Sequence, residues 1–173
     1  PGVHIRISNH STPQAITALK DGIADIAFVT TPTERSATLT ETPIRPIDEV
    51  AICSPAFSEL TGKQVSIAEL AQHPLISLGP DTKSFLFYSE LFAGCGLPFA
   101  PDIEAFTADQ ILPMVEADLG VGFVPREFLR EGDNVCVIDL KEKIPERSIV
   151  MIKRKDQSLS MAAQKLEEMA VAE

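Results

Sequence analysis

Two segments of this chain share one design, a helix-forming run closed by a glycine and followed at once by a short apolar run. They are ALKDGIADIAFVT at 18–30 and MVEADLGVGFVP at 114–125. Glycine leaves a helix in the left-handed region without a Cβ clash, and an apolar run of about four to eight residues has the length of a buried strand. A chain that uses this unit twice is held to an α/β class, two lobes whose helices pack on mainly parallel sheets with right-handed crossovers. Ahead of the first unit, residues 3–8 (VHIRIS) alternate Val3, Ile5 and Ile7 at period two, which predicts a strand. Thr12 and Pro13 then supply an N-cap and a first-turn proline, Asp21-Gly22 the helix exit, and residues 23–30 a strand expected to be buried on both faces.

In the second unit Leu119 reads as the last helical contact, Gly120 as the C-cap, and 121–124 as a short buried strand ended by Pro125. Gly122 stands inside that strand. A glycine there marks a close approach, either by a packed helix or by a ligand, and both readings stay open on sequence. Elsewhere, residues 40–54 read as a long extended crossing from one lobe to the other, since Pro43 and Pro46 forbid a central hydrogen-bonded strand. Ser66 and Glu69 fit a capping box for a short helix, 75–78 is a strand, and 84–96 is a helix closed by Gly94 and Gly96. Residues 102–106 form a strand with Thr107 capping the next helix. Residues 135–140 and 146–154 give two more strands, and 158–173 a helix capped by Ser158 with Ala162, Leu166 and Met169 on its apolar stripe.

Composition removes several function classes. The net charge of −10 repels phosphate backbones, and no basic cluster exceeds the KRK at 153–155, so this chain does not bind DNA by itself. Cys53, Cys95 and Cys136 are odd in number, far apart and without a CxxC pair, which reads as reduced, buried thiols rather than a disulfide framework or a zinc site. No run approaches the roughly 18 apolar residues of a membrane span, and a cytoplasmic location is expected. Catalytic signatures such as G-x-S-x-G, HExxH, a P-loop or a complete GxGxxG do not occur, so neither an enzyme nor a cofactor is expected. The charges at Lys165, Glu167 and Glu168 read as a solvated helix face.

Three stretches resemble LysR-type transcriptional regulators. ALKDGIADIAFV is similar to their helix, glycine and aspartate-bearing strand, VSIAELAQHPLISL to their second-lobe entry, and LGVGFVP to their late strand ending in proline. Order and spacing agree over nearly all of the chain. The resemblance implies the effector-binding domain of that family, a two-lobed fold of the type II periplasmic-binding-protein kind with an interlobe cleft. Lobe I is expected at 1–47 and 146–173, incomplete at its N-terminus, and lobe II at 48–145. The family's winged helix-turn-helix, and the first strand and helix of lobe I, have no counterpart here. The resemblance further implies a full-length homodimer or homotetramer that touches DNA only through the helix-turn-helix. The function implied is sensing of a small anionic metabolite, such as an organic acid, and the alternative is a solute-binding protein or an enzyme of the same fold.

Physical reasoning places ligands beyond the carboxyl ends of strands, where helix N-termini offer N–H groups and partial positive charge. Three stretches qualify: 8–12, 79–82 and 106–107. The hydroxyls among them, Ser8, Ser11, Thr12, Thr82 and Thr107, are first of all helix caps. The resemblance adds their convergence on one effector. It puts Ser11 and Thr12 on a polar contact, with His10 nearby, and Phe28 and Thr30 at the end of a lobe I strand. Opposite them it sets Gly79, Pro80, Asp81, Thr82, Phe106, Gly122 and Phe123. No metal ligand set is expected.

Overall fold

In a computed structural model, which describes residues 2–34 and 36–171, the chain divides into two units, Pro1–Pro46 with Arg147–Glu173, and Ile47–Glu146. The outermost residues of the expected lobe I lie outside those described. In chain order the elements are α1 (Thr12–Lys20), β1 (Ile26–Thr30), β2 (Leu39–Ile47), β3 (Glu49–Cys53), β4 (Gln64–Val65), α2 (Ile67–Leu70), β5 (Leu75–Leu78), α3 (Lys83–Gly94), β6 (Ile103–Ala105), α4 (Ile111–Glu116), β7 (Val121–Pro125), β8 (Cys136–Leu140), β9 (Arg147–Arg154) and α5 (Met161–Val171).

The first unit is a three-stranded sheet in the order β1-β9-β2. Ala15 and Leu19 of α1 pack on Val29, Leu39, Val150 and Ile152 to form its core. The α1 exit follows from Gly22, whose φ of 72° is open to glycine, while the Ile23 N–H reaches back to the Ala18 carbonyl at 2.9 Å. Several expectations change here. Residues 3–8 form no strand, and Val3, Ile5 and Ile7 are exposed, because alternation specifies a face but supplies no hydrogen-bonding partner. β1 is not covered on both faces: it lies at the sheet edge, only Val29 is buried, and Phe28 is exposed. No residue of α5 is buried, Leu166 and Met169 of its apolar stripe are exposed, and Ser160 rather than Ser158 meets the helix start, accepting from the Ala163 N–H at 3.2 Å. Glu167 is no free surface charge either, since Lys153 of β9 donates to both its carboxylate oxygens at 2.5 and 2.7 Å.

The second unit is a six-stranded sheet ordered β4-β8-β3-β7-β5-β6. Its strands deal alternate residues to two cores. Ala51, Cys53, Leu75, Val121 and Phe123 face α2 and α3, where Leu70, Tyr88 and Phe92 pack. Val50, Ile52, Ile76 and Val124 face α4, against Ile111 and Val115. α3 ends as its glycines suggest, with Gly96 at φ 74° and the Leu97 N–H on the Phe92 carbonyl at 3.0 Å.

Strand directions are mixed rather than mainly parallel. β5 runs parallel to β6 and β7, and β4 to β8, but β1 is antiparallel to β9, and β3 to both β7 and β8. The parallel set around β5 belongs to helical crossovers, which local sequence pattern reveals. The antiparallel pairs join segments far apart in sequence, and no local pattern encodes them. β2 lies at a sheet edge, where Pro43 and Pro46 are tolerated.

The predicted capping box of α2 forms. The Ser66 N–H and hydroxyl donate to Glu69 Oε2 at 2.9 and 2.8 Å, and the Glu69 N–H returns to Ser66 Oγ at 3.2 Å. The Ser66 backbone N–H, its hydroxyl and then Lys141 hold the Glu69 carboxyl down to about 2 from an ordinary value of 4.5. A depressed carboxyl contributes stability that is present above 4.5 and lost as pH falls toward 2. Glu69→Ala should therefore lower the thermal midpoint at neutral pH, and the gap to the wild type should close between pH 4.5 and 2. Melting curves across that range check it, and a gap independent of pH would contradict it.

Candidate functional site

β5 pairs in parallel with β6 on one side and β7 on the other, so three strand carboxyl ends leave the second unit's sheet together. Ligands sit at such ends in open α/β sheets. Leu78 lies opposite Ala105, which makes residues 79–82 and 106–107 emerge side by side. Thr82 caps α3: its hydroxyl accepts from the Phe85 N–H at 3.1 Å and donates to the Gly79 carbonyl at 2.8 Å. The positive end of a 12-residue helix thus opens beside the turn. Pro80 and Asp81 are exposed, and a Cβ on Gly79 would collide with the Glu104 carboxylate. Phe106 is 85% exposed, and the Phe106 and Thr107 N–H groups both donate to Gln110 Oε1, at 2.9 and 3.1 Å. Thr107 caps a short 3-10 turn, Ala108–Gln110, which leads into α4.

At β7 the two glycines serve packing. α4 stops at Glu116, Asp118 takes the left-handed position at φ 62°, and Leu119 is exposed, so Gly120 is not the cap that its sequence position suggests. Gly120 instead lets the chain approach Pro74, whose carbonyl accepts the Val121 N–H at 2.8 Å. At Gly122 an added Cβ would lie 2.5 Å from Ile111 Cγ2 and 3.1 Å from Val115 Cγ2. Phe123 is 4% exposed and stacks on Tyr88, ring centroids 4.5 Å apart, inside the α3-facing core. Gly122 and Phe123 therefore position the strand ends rather than stand open among them.

Two residues at this end went unnoticed in the sequence. Ser77, on the strand just before Gly79, is 3% exposed, and its hydroxyl has no hydrogen-bond partner, an arrangement that natural cores rarely keep without a reason. Glu49 is buried at the start of β3, opposite Pro125, and accepts from the Tyr88 hydroxyl at 2.9 Å. A serine in an apolar strand and a glutamate at a strand start carry no sequence signal of burial. Only the register of five neighbouring strands reveals it.

In the first unit, α1 packs on β1, with Ala15 and Leu19 in one core with Val29. Ser11, not Thr12, is the N-cap, with its N–H on Gln14 Oε1 at 3.0 Å and its carbonyl accepting the Ala15 N–H at 2.9 Å. Thr12 becomes the first helical residue, half-buried, and its hydroxyl makes no hydrogen bond with the described residues. Ser8 and His10 are exposed outside regular structure. Thr30 accepts from Arg147 Nη2 at 2.7 Å, Arg147 Nε donates to the Thr31 carbonyl at 2.8 Å, and the Ser148 N–H donates to Thr31 Oγ1 at 2.9 Å. Arg147 is 3% exposed, a buried cation beside hydroxyls that the run ERSIVMIKR does not announce. Phe28, 46% exposed, shares β1 with Thr30.

Among the described residues no group of three or more His, Cys, Asp or Glu side chains is arranged to hold a metal. No described helix is long and apolar enough to cross a membrane.

Mixed-sheet α/β units with helix starts at strand ends define a fold of the type II periplasmic-binding-protein-like class. The profile of the LysR substrate binding domain matches residues 1–173, and the chain belongs to that family. Solved structures agree on the fold. HinK, a LysR family transcriptional regulator from Pseudomonas aeruginosa, is 22% identical with a TM-score of 0.76 over 99% of this chain and 61% of its own. The effector binding domain of QuiR in complex with shikimate is 17% identical, TM-score 0.81, over 94% of this chain and 78% of that one. The regulatory domain of CcmR from Synechocystis PCC6803 in complex with 2-PG is 13% identical, TM-score 0.79, over 94% and 79%. The chain spans about three-fifths of the length of HinK. A search of curated proteins gave no match.

The packing at Gly122 sets a prediction. Gly122→Ala should destabilise the protein by about 1–3 kcal/mol, the usual cost of overpacking a filled core. Urea denaturation measures it, and an unchanged midpoint would show that α4 does not press on β7 there.

Proposed function

We propose that this chain is the effector-sensing domain of a LysR-type transcriptional regulator and that its effector is a small organic anion. The observation that carries the reading is the α3 start: a 12-residue helix capped by Thr82, opening where three strand carboxyl ends leave one sheet. Such an end attracts negative charge through its N–H groups and macrodipole, even in a chain of net charge −10. Family membership supports the regulatory role, and the ligands named for QuiR and CcmR, shikimate and 2-PG, support a small polar effector. Residues 79–82, Phe106, Thr107 and Ser77 are the proposed contacts of the second unit. Ser8, His10, Ser11, Thr12, Phe28 and Thr30 are those of the first, with Arg147 as the buried cation behind Thr30.

The proposed mechanism is differential affinity. An effector that binds one arrangement of the regulator better than another shifts the population toward it, and in a longer homodimeric or homotetrameric protein this changes how helix-turn-helix domains grip DNA. No step requires bond making or breaking. Cytoplasmic residence belongs to this reading.

A thermal-shift screen of organic acids against the protein tests it, because a ligand that binds only the native state raises the midpoint by mass action. At least one carboxylate should raise it in a saturable way, and neutral analogues should not. Thr12→Val removes a hydroxyl with no partner of its own, so it should leave stability near wild type and weaken that acid about fivefold to tenfold, the worth of one hydrogen bond. Unchanged affinity would take Thr12 out of the site, and a screen with no saturable anion would remove the proposed effector class.

A further inference from the structure

Cys53 and Cys136 are far apart in sequence and read there as unrelated thiols. The fold makes them neighbours. Cys53 ends β3, Cys136 opens β8, and the two are direct Cα partners in an antiparallel pair. Their side chains share one face with the next pair but one, Ala51 and Ile138, and all four meet in the α3-facing core. Directly opposed antiparallel residues have Cα atoms about 4.5 or 5.5 Å apart and Cβ atoms about 4.5–5.5 Å apart. A disulfide needs Cα atoms about 4.4–6.8 Å apart and Cβ atoms about 3.5–4.5 Å apart. The backbone spacing already fits, and the Cβ atoms need approach by only about 1 Å at most. The pair also stands at the last rung of its ladder, where a strand end can make that adjustment.

Exposure separates the two sulfurs. Cys53 is fully buried, whereas Cys136 is partly open to solvent. The third cysteine, Cys95, is exposed at the end of α3 and pairs with neither. We propose that Cys53 and Cys136 form a two-electron redox site, in which a peroxide oxidises Cys136 and Cys53 then closes a cross-strand disulfide within the chain. In the first step the peroxide O–O bond breaks, one oxygen forms an S–O bond to Cys136 as sulfenic acid, and the other leaves as water or alcohol. In the second the Cys53 sulfur attacks the Cys136 sulfur. The S–S bond forms, the S–O bond breaks, and the Cys53 proton leaves with the hydroxyl as water. Both electrons come from the two thiols and reduce the peroxide, and a dithiol reverses the change by exchange. Burial first, then the neighbouring Cys136 and Glu59, push the Cys53 thiol up to about 11, so it waits as a protonated thiol and does not meet the oxidant itself. Closed, the link fastens β8 to β3, which carries β7 on its other edge.

The test uses the folded 173-residue chain with Cys95→Ser to prevent links between molecules. Hydrogen peroxide should remove two hydrogens from the intact mass, and a non-reduced digest should hold one peptide joining Cys53 to Cys136, both changes reversed by dithiothreitol. With Cys53→Ala added, Cys136 should stop at a sulfenic acid that dimedone captures, while Cys136→Ala should leave Cys53 unmodified. Thiols that stay reduced in the folded protein, a sulfenic acid that persists with Cys53 present, or a link that forms only in denaturant would each overturn the proposal. The mass and digest of the single variant decide it even if the double variants fail to fold.

Discussion

At β7 a helix and a strand meet with only the helix's own side chains between them. Gly122 leaves room where Ile111 and Val115 press on the sheet, and Gly120 leaves room where Pro74 receives the Val121 amide. A methyl group at either place would hold α4 or the Pro74 turn away from the strand. With β7 seated, β5 lies parallel on one side and β3 antiparallel on the other, and the register of all three follows. That register decides what stands at the strand ends: the Thr82 cap of α3, the paired turn at Thr107, and the buried Glu49 and Ser77. The proposed anion site of this unit is thus a consequence of close packing some distance along the strand.

Each unit solves the same problem with different means. In the second, the helix start is pre-formed, because Thr82 uses its hydroxyl as both acceptor and donor within the turn. In the proposed function its contribution is positional and electrostatic rather than a direct hydroxyl contact. In the first, Ser11 takes the cap and leaves the Thr12 hydroxyl without a partner, while Arg147 binds Thr30 and Thr31 from beneath. There the hydroxyl is available and the charge is buried.

What sequence reveals here is whatever is settled within a few residues. Gly22 and Gly96 announce helix exits, Ser66 and Glu69 announce a reciprocal cap, and the glycine-bearing apolar runs announce β1 and β7. Family membership rests on the match over residues 1–173. Whatever needs a distant partner stays hidden. Residues 3–8 have a strand's alternation and no strand beside them, the α5 stripe has helical spacing and no described surface to cover it, and Gly120 looks like a cap but serves a contact with Pro74. Strand direction, the burial of Arg147 and Ser77, and the pairing of Cys53 with Cys136 all depend on register between segments tens of residues apart. For Gly122 the sequence posed packing against ligand approach, and the Ile111 and Val115 methyl groups supply the packing answer.

The claim that bears most weight is that amide-bearing helix starts at strand ends receive an anion. Backbone amide NMR of the labelled protein, titrated with a stabilising organic acid, reads those N–H groups one by one. Saturable shifts should concentrate at residues 79–85 and 106–107 in one unit and at 11–15 and 30–31 in the other. Shifts that instead gather along α5 or the β4-β8 edge, with those turns unmoved, would contradict it.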